Sequence, residues 1–141
     1  MSVDVLLVAL GSTAGLRLAE DELAGSLERA GVDVALVRAQ PPREVRTFAA
    51  TDLLWALAAR RAACHGIAEH DPRAVLYSTT TAALLWPRAG AIRFDALAAG
   101  NRPGRHGLWQ RPLERRRLAQ ATLLLPQDAD ALDELPGPGA R

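Results

Sequence analysis

A doubly wound parallel α/β sheet of about five strands is the fold class this sequence predicts, and three observations predict it. Short, continuous apolar runs rich in Val and Leu recur along the 141 residues, as they do in strands buried on both faces of a parallel sheet. Between them lie stretches with the helical period. The first strand–helix–strand unit takes about 35 residues, the size of a right-handed crossover.

Val3 to Leu10 (VDVLLVAL) is the first apolar run and ends at Gly11. A helix is expected from Leu18 to Ala30, with Leu23, Leu27 and Ala30 on one side and Glu20, Asp21, Glu28 and Arg29 on the other. Gly31 is a good terminator. Val32 to Val37 (VDVALV) reads as the second strand. Pro41 and Pro42 break the pattern, and Thr51 or Asp52 can cap a helix running to about Glu69, with Leu54, Leu57 and Ala58 facing inward. Asp71-Pro72 stops it. Ala74 to Tyr77 is the third strand, Ala82 to Trp86 a short helix, and Ala91 to Phe94 the fourth strand. Gly100 to Gly107 has the turn residues of a loop. Leu108 to Gln120 is helical, best started at Pro112. Thr122 to Leu125 is the fifth strand, and Asp128 caps a last helix to Leu135. The expected organisation is one Rossmann-like lobe over residues 1–135 and a linker over 136–141, since Pro136-Gly137-Pro138-Gly139-Ala140-Arg141 reads as a connection to a further lobe.

Composition narrows the function classes. Hydrophobic residues make up 49% and charged residues 23%, which is ordinary for a globular domain. The net charge of +1 predicts neither a nucleic-acid binder nor a membrane-coating protein. All 17 basic residues are Arg. Eight of them, from Arg88 to Arg117, face only Asp95 and Glu114, a local excess of six positive charges. That segment suits an anionic ligand or surface, or a solvated helix face. The single cysteine, Cys64, cannot form an internal disulfide, so a cytoplasmic location is expected. No apolar run approaches the roughly 18 residues of a spanning helix. Cys64, His65 and His70 lack metal-ligand spacing, and no metal or cofactor is expected.

In a doubly wound sheet, ligands bind beyond the carboxyl ends of the strands. Four segments reach that edge. Gly11, Ser12, Thr13 and Gly15 follow the first strand and precede a helix, where backbone N–H groups favour a phosphate or carboxylate. Neither G-x-G-x-x-G nor a P-loop is present, and a nicotinamide enzyme is disfavoured. Arg38 to Arg43 follow the second strand. Ser78, Thr79, Thr80 and Thr81 follow the third and can cap a helix or hold a polyhydroxylated or phosphorylated ligand. Asp95 follows the fourth, with Arg93, Arg102 and Arg105 nearby in sequence. A carboxylate there can accept a proton or a sugar hydroxyl, and arginines can grip phosphate bidentately. A salt bridge that fixes the loop would use the same residues.

The stretch from Ala91 to Gln127, AIRFDALAAGNRPGRHGLWQRPLERRRLAQATLLLPQ, resembles bacterial glycosyltransferases of family four, which have the GT-B fold. Their N-terminal lobe has an apolar strand ending in a polar position, an Arg-rich loop, a helix of the form E-R-x-x-L-x-x-A, and a short strand ending near Pro or Ser. Glu114 to Ala121 and the strand ending at Pro126 match that form, and the Gly11–Gly15 loop matches the family's first loop. Many members have His where this chain has Asp95. The resemblance implies transfer of a sugar from a nucleotide-sugar donor to an acceptor held mainly by this lobe. The donor would be held by a C-terminal lobe, and Asp95 is the candidate catalytic residue. It also implies lipid-linked or phosphorylated acceptors, so that Arg111, Arg115, Arg116 and Arg117 are expected to approach an anionic membrane surface. The alternative is a stand-alone α/β binding module for a nucleotide or phosphorylated sugar without catalysis. A donor lobe encoded after Arg141 would belong to the first reading and a stop codon to the second.

Overall fold

The structure, a computed structural model, describes residues 2–95, 104–133 and 135. It is an α/β fold built on one all-parallel five-stranded sheet with helices on both faces. The strands are β1 (Val5–Ala9), β2 (Val34–Arg38), β3 (Ala74–Tyr77), β4 (Ala91–Phe94) and β5 (Leu123–Pro126), in the order β2-β1-β3-β4-β5. Val5 lies beside Val34 on one side and Ala74 on the other, so β1 is central. The order reverses direction between β1 and β3, which makes the carboxyl ends of those two strands the switch point.

Alternation along the strands divides the core in two. Leu6, Val8, Val75, Tyr77, Ile92 and Phe94 point to one face, under α2 (Phe48–His70) and α3 (Thr80–Ala83). Leu7, Leu36 and Leu76 point to the other, under Leu23, Ala24 and Leu27 of α1 (Ala14–Arg29). The sheet-facing side of α2 is built from Ala56, Ala59, Ala63 and Gly66, so the helix lies close to the strands. A Cβ on Gly66 would stand 2.9 Å from Leu6 Cδ1. The remaining helices are α4 (Gln110–Gln120) and α5 (Ala129–Asp133).

Strands β3 and β4 occupy the spans the sequence predicts; the helix starts differ, and threonines explain most of the difference. The hydroxyl of Thr13 accepts from Leu16 N at 3.1 Å, so α1 begins at Ala14 rather than Leu18. Thr47, not Thr51 or Asp52, caps α2 by accepting from Ala50 N at 3.2 Å. Thr79 caps α3, which therefore covers Thr80–Ala83 and not Ala82–Trp86. Trp86 follows as a buried side chain with its ring centre 5.4 Å from that of Tyr77. Helix ends match better. Asp71, with φ of 43°, closes α2 immediately before Pro72, and Gly31 follows α1 with φ of 85°. Asp128 caps α5 through a 2.8 Å bond from Ala131 N. The expected linker, 136–141, lies outside the described residues.

Candidate functional site

At the switch point the chain leaves β1 through Leu10 and turns at Gly11, whose φ is 63°. A side chain there would be strained and would meet Arg17 Cγ at 3.4 Å and Arg38 Cδ at 3.5 Å. Arg17 donates to the Gly11 carbonyl at 3.0 Å. Ser12 and Gly15 are exposed at this edge. Thr13 is exposed too, but its hydroxyl is engaged as the α1 cap.

A carboxylate the sequence assigns to the polar side of α1 organises this corner. Glu20 is completely buried. Its Oε1 accepts from Leu10 N at 2.8 Å, Gly11 N at 3.2 Å and the Ser78 hydroxyl at 2.7 Å. Leu10 N is shared with Ser78 Oγ at 3.1 Å. Oε2 has no hydrogen-bond partner among the described residues, and Arg38 Nε stands 4.0 Å away. Arg38 also pairs with Asp21. Glu20 therefore ties the ends of β1 and β3 together from within α1. The assignment to the polar side is corrected by helix geometry: Leu16, Glu20, Leu23 and Leu27 share one stripe at spacings of four, three and four. A charged residue inside that stripe was the available signal.

The other sequence-predicted residues are distributed as follows. Ser78 is buried and its hydroxyl is committed to Glu20. The hydroxyl of Thr79 accepts from Ala82 N at 3.1 Å, which is ordinary capping. Thr80 is half-buried at the start of α3. Asp95 is exposed directly after β4, two strand spacings from β1, about 10 Å at the usual separation. Arg93 lies on the α1 side of β4 and donates to the Ala19 carbonyl at 3.4 Å. Arg105 is exposed in a 3-10 turn, Gly104–Gly107. Arg102 lies outside the described residues. The fold thus joins the Gly11 loop, Arg38 and Ser78 directly, and sets Asp95 along the same edge.

Much of the basic segment serves the fold. Arg88 donates to the carbonyls of Pro72 and Arg73, Arg93 to Ala19, Arg111 to Gly104 and Arg117 to Leu84. A guanidinium carries five donors in a rigid fork and closes off carbonyls that strands and helices leave unpaired. Arg117 also lies 5.4 Å over the ring of Trp86, and its partial burial lowers its pKa. Burial likewise pushes the Tyr77 phenol up; its hydroxyl donates to the Arg88 carbonyl at 2.6 Å. Arg115 and Arg116 remain exposed on α4.

A second concavity opens where the chain leaves β2. It has a volume of about 800 Å³ and lies between the Arg38–Arg43 segment and the outer flank of α2. Val37, Pro42, Leu54, Leu57 and Ala62 supply apolar lining; Arg38, Arg43, Arg61 and His65 supply charge or polarity, and no acidic residue lines it among the described residues. Cys64, next to His65, is exposed. No group of three His, Cys, Asp or Glu among the described residues could hold a metal ion, and none of their helices is long and apolar enough to cross a membrane.

No protein-family model, curated protein or solved structure matches this chain.

Proposed function

We propose that the chain is the N-terminal, acceptor-binding lobe of a glycosyltransferase that moves a sugar from a nucleotide-sugar donor to an acceptor and works with a C-terminal donor-binding lobe. The observation that carries the reading is the parallel sheet with its switch point at Gly11. There the chain turns at buried Gly11, exposed Ser12 and Thr13 lead into a 16-residue helix, and an exposed carboxylate, Asp95, stands on the same edge. Gly11 N is taken by Glu20, and the backbone N–H groups that follow it, from Ser12 to Gly15, suit phosphate or sugar oxygens. Asp95 accepts the proton of the acceptor hydroxyl as its oxygen bonds to the anomeric carbon. The nucleoside diphosphate departs with the electrons of the broken bond. Family resemblance over Ala91 to Gln127 supplies the reaction class.

An amide-shift titration with UDP-glucose, GDP-mannose and pyrophosphate tests the site. Gly11 to Gly15 and Asp95 should shift, with affinity in roughly the millimolar range because one lobe offers few contacts. Shifts confined to the opposite, amino-terminal edge of the sheet would sink the reading. Turnover belongs to the two-lobed enzyme, so steady transfer by this chain alone would overturn the need for a second lobe. Contact with an anionic membrane is part of the same proposal and rests on Arg115 and Arg116, each worth about 1 kcal/mol near such a surface. Salt-sensitive co-sedimentation with anionic vesicles, absent with neutral ones, is the expected result.

A stand-alone binding module for a phosphorylated ligand is the second reading. The cavity beside β2 favours it, because it offers positive charge with no carboxylate base among the described residues.

A further inference from the structure

We infer that the cavity between the end of β2 and α2 is a binding site for an anionic amphiphile: a carboxylate or phosphate carried on an apolar body. The cavity borders the Gly11 corner through Arg38 and opens at the end of β2, three strand positions from β4 and Asp95.

Charge is the first argument. Arg38 is already paired with Asp21, and His65 lies 3.4 Å from Glu69. Arg43 and Arg61 have neither an ion pair nor a hydrogen bond among the described residues. Two unpaired guanidiniums, contributed by different elements, therefore face one concavity that no acidic residue lines among the described residues. Guanidinium forks match carboxylate and phosphate oxygens in geometry.

Apolar surface is the second. A cavity meant only for inorganic phosphate would be small and polar. This one has about 800 Å³, within the usual range for small-molecule sites, and its wall includes Val37, Leu54, Leu57 and Ala62. Val37 and Leu57 are only half-buried. An apolar chain or ring laid along α2 would remove them from water while its acidic head reached Arg43 and Arg61. The same reasoning disfavours a flat membrane surface, because a concavity shields its walls from a bilayer.

Calorimetric titration of the full chain, below the micellar concentration, with dodecanoate, dodecyl phosphate, dodecanol and inorganic phosphate tests this. Both acidic amphiphiles should bind, on the order of ten micromolar, and their ratio names the preferred head group. Dodecanol and inorganic phosphate should each bind at least about tenfold more weakly. Arg43→Gln and Arg61→Gln should each weaken the acidic amphiphiles about tenfold, the loss of one charge-assisted bond. Melting temperature should not change, since both side chains are exposed. Ala62→Glu, which places a carboxylate in the wall, should abolish binding while amide signals from β3 and β4 stay in place. The inference is overturned by equal binding of dodecanol, by equal binding of inorganic phosphate, or by arginine variants that bind like the parent. Binding seen only with anionic vesicles, or none at about 1 mM, overturns it too. Every readout is equilibrium binding, so its failure leaves the glycosyltransferase reading standing, and the reverse holds as well.

Discussion

Replacing Glu20 by Ala would leave a cluster of donors without their acceptor, and the cost can be worked from the contacts. Oε1 accepts from Leu10 N, Gly11 N and Ser78 Oγ, all buried. Leu10 N keeps Ser78 Oγ as a partner at 3.1 Å. Two groups are then stranded, Gly11 N and the Ser78 hydroxyl proton, at about 1–3 kcal/mol each. The cavity left by the carboxyethyl group adds to this, and a water entering it subtracts. A net loss of about 3–5 kcal/mol follows. For a domain of this size that lowers the melting temperature by roughly 10–17 °C. Glu20→Gln keeps an acceptor on the same three donors but turns an amide toward Arg38, at about 1–2 kcal/mol. Ser78→Ala should be milder than Glu20→Ala, and the double variant should cost less than the two singles together because they share one bond. Thermal and urea unfolding followed by circular dichroism measure all four. A Glu20→Ala protein melting within about 2 °C of the parent, or a Gln variant as unstable as the Ala variant, would refute the reasoning.

Three further outcomes are expected. Tyr77 is the only tyrosine, and its folded-state pKa is raised above the unfolded value by burial. Its contribution is therefore full below about pH 10 and is lost as pH climbs further. Tyrosinate absorbance should appear only with unfolding, and Tyr77→Phe should flatten the alkaline loss of stability; early, reversible ionisation in the folded state would contradict this. A Cβ on Gly90 would lie 2.2 Å from the Val75 carbonyl oxygen, and backbone cannot move aside cheaply. Gly90→Ala should lose about 3 kcal/mol, the upper end of overpacking, in urea unfolding, and a neutral result would mean the strand pair has slack. On the proposed glycosyltransferase reading, Asp95→Asn in a two-lobed enzyme containing this chain should cut kcat about a hundredfold or more while the melting temperature holds. Lower stability with near-normal kcat would leave Asp95 a loop anchor.

Local pattern alone decided the fold class, all five strands and the spans of β3 and β4, because strands of a parallel sheet covered on both faces read as short, mostly apolar runs, with Arg93 the exception inside β4. Helix starts were less legible. Thr47 and Thr51 offer the same hydroxyl, and only the backbone angle at Thr47, outside the helical region, selects it as the cap. The edge segments at Gly11, Ser78 and Asp95 could be named from strand ends, but what their side chains do could not. Glu20 gathers groups from residues 10, 11 and 78, and Arg38 comes to it from another strand. Parallel pairing of β1 with both β2 and β3 brings those positions together, and no window of sequence contains them. The cavity beside β2 has the same origin. Its charges, Arg43 and Arg61, sit 18 residues apart on a loop and a helix. They share a wall because α2 must lie across the sheet to bury its alanines.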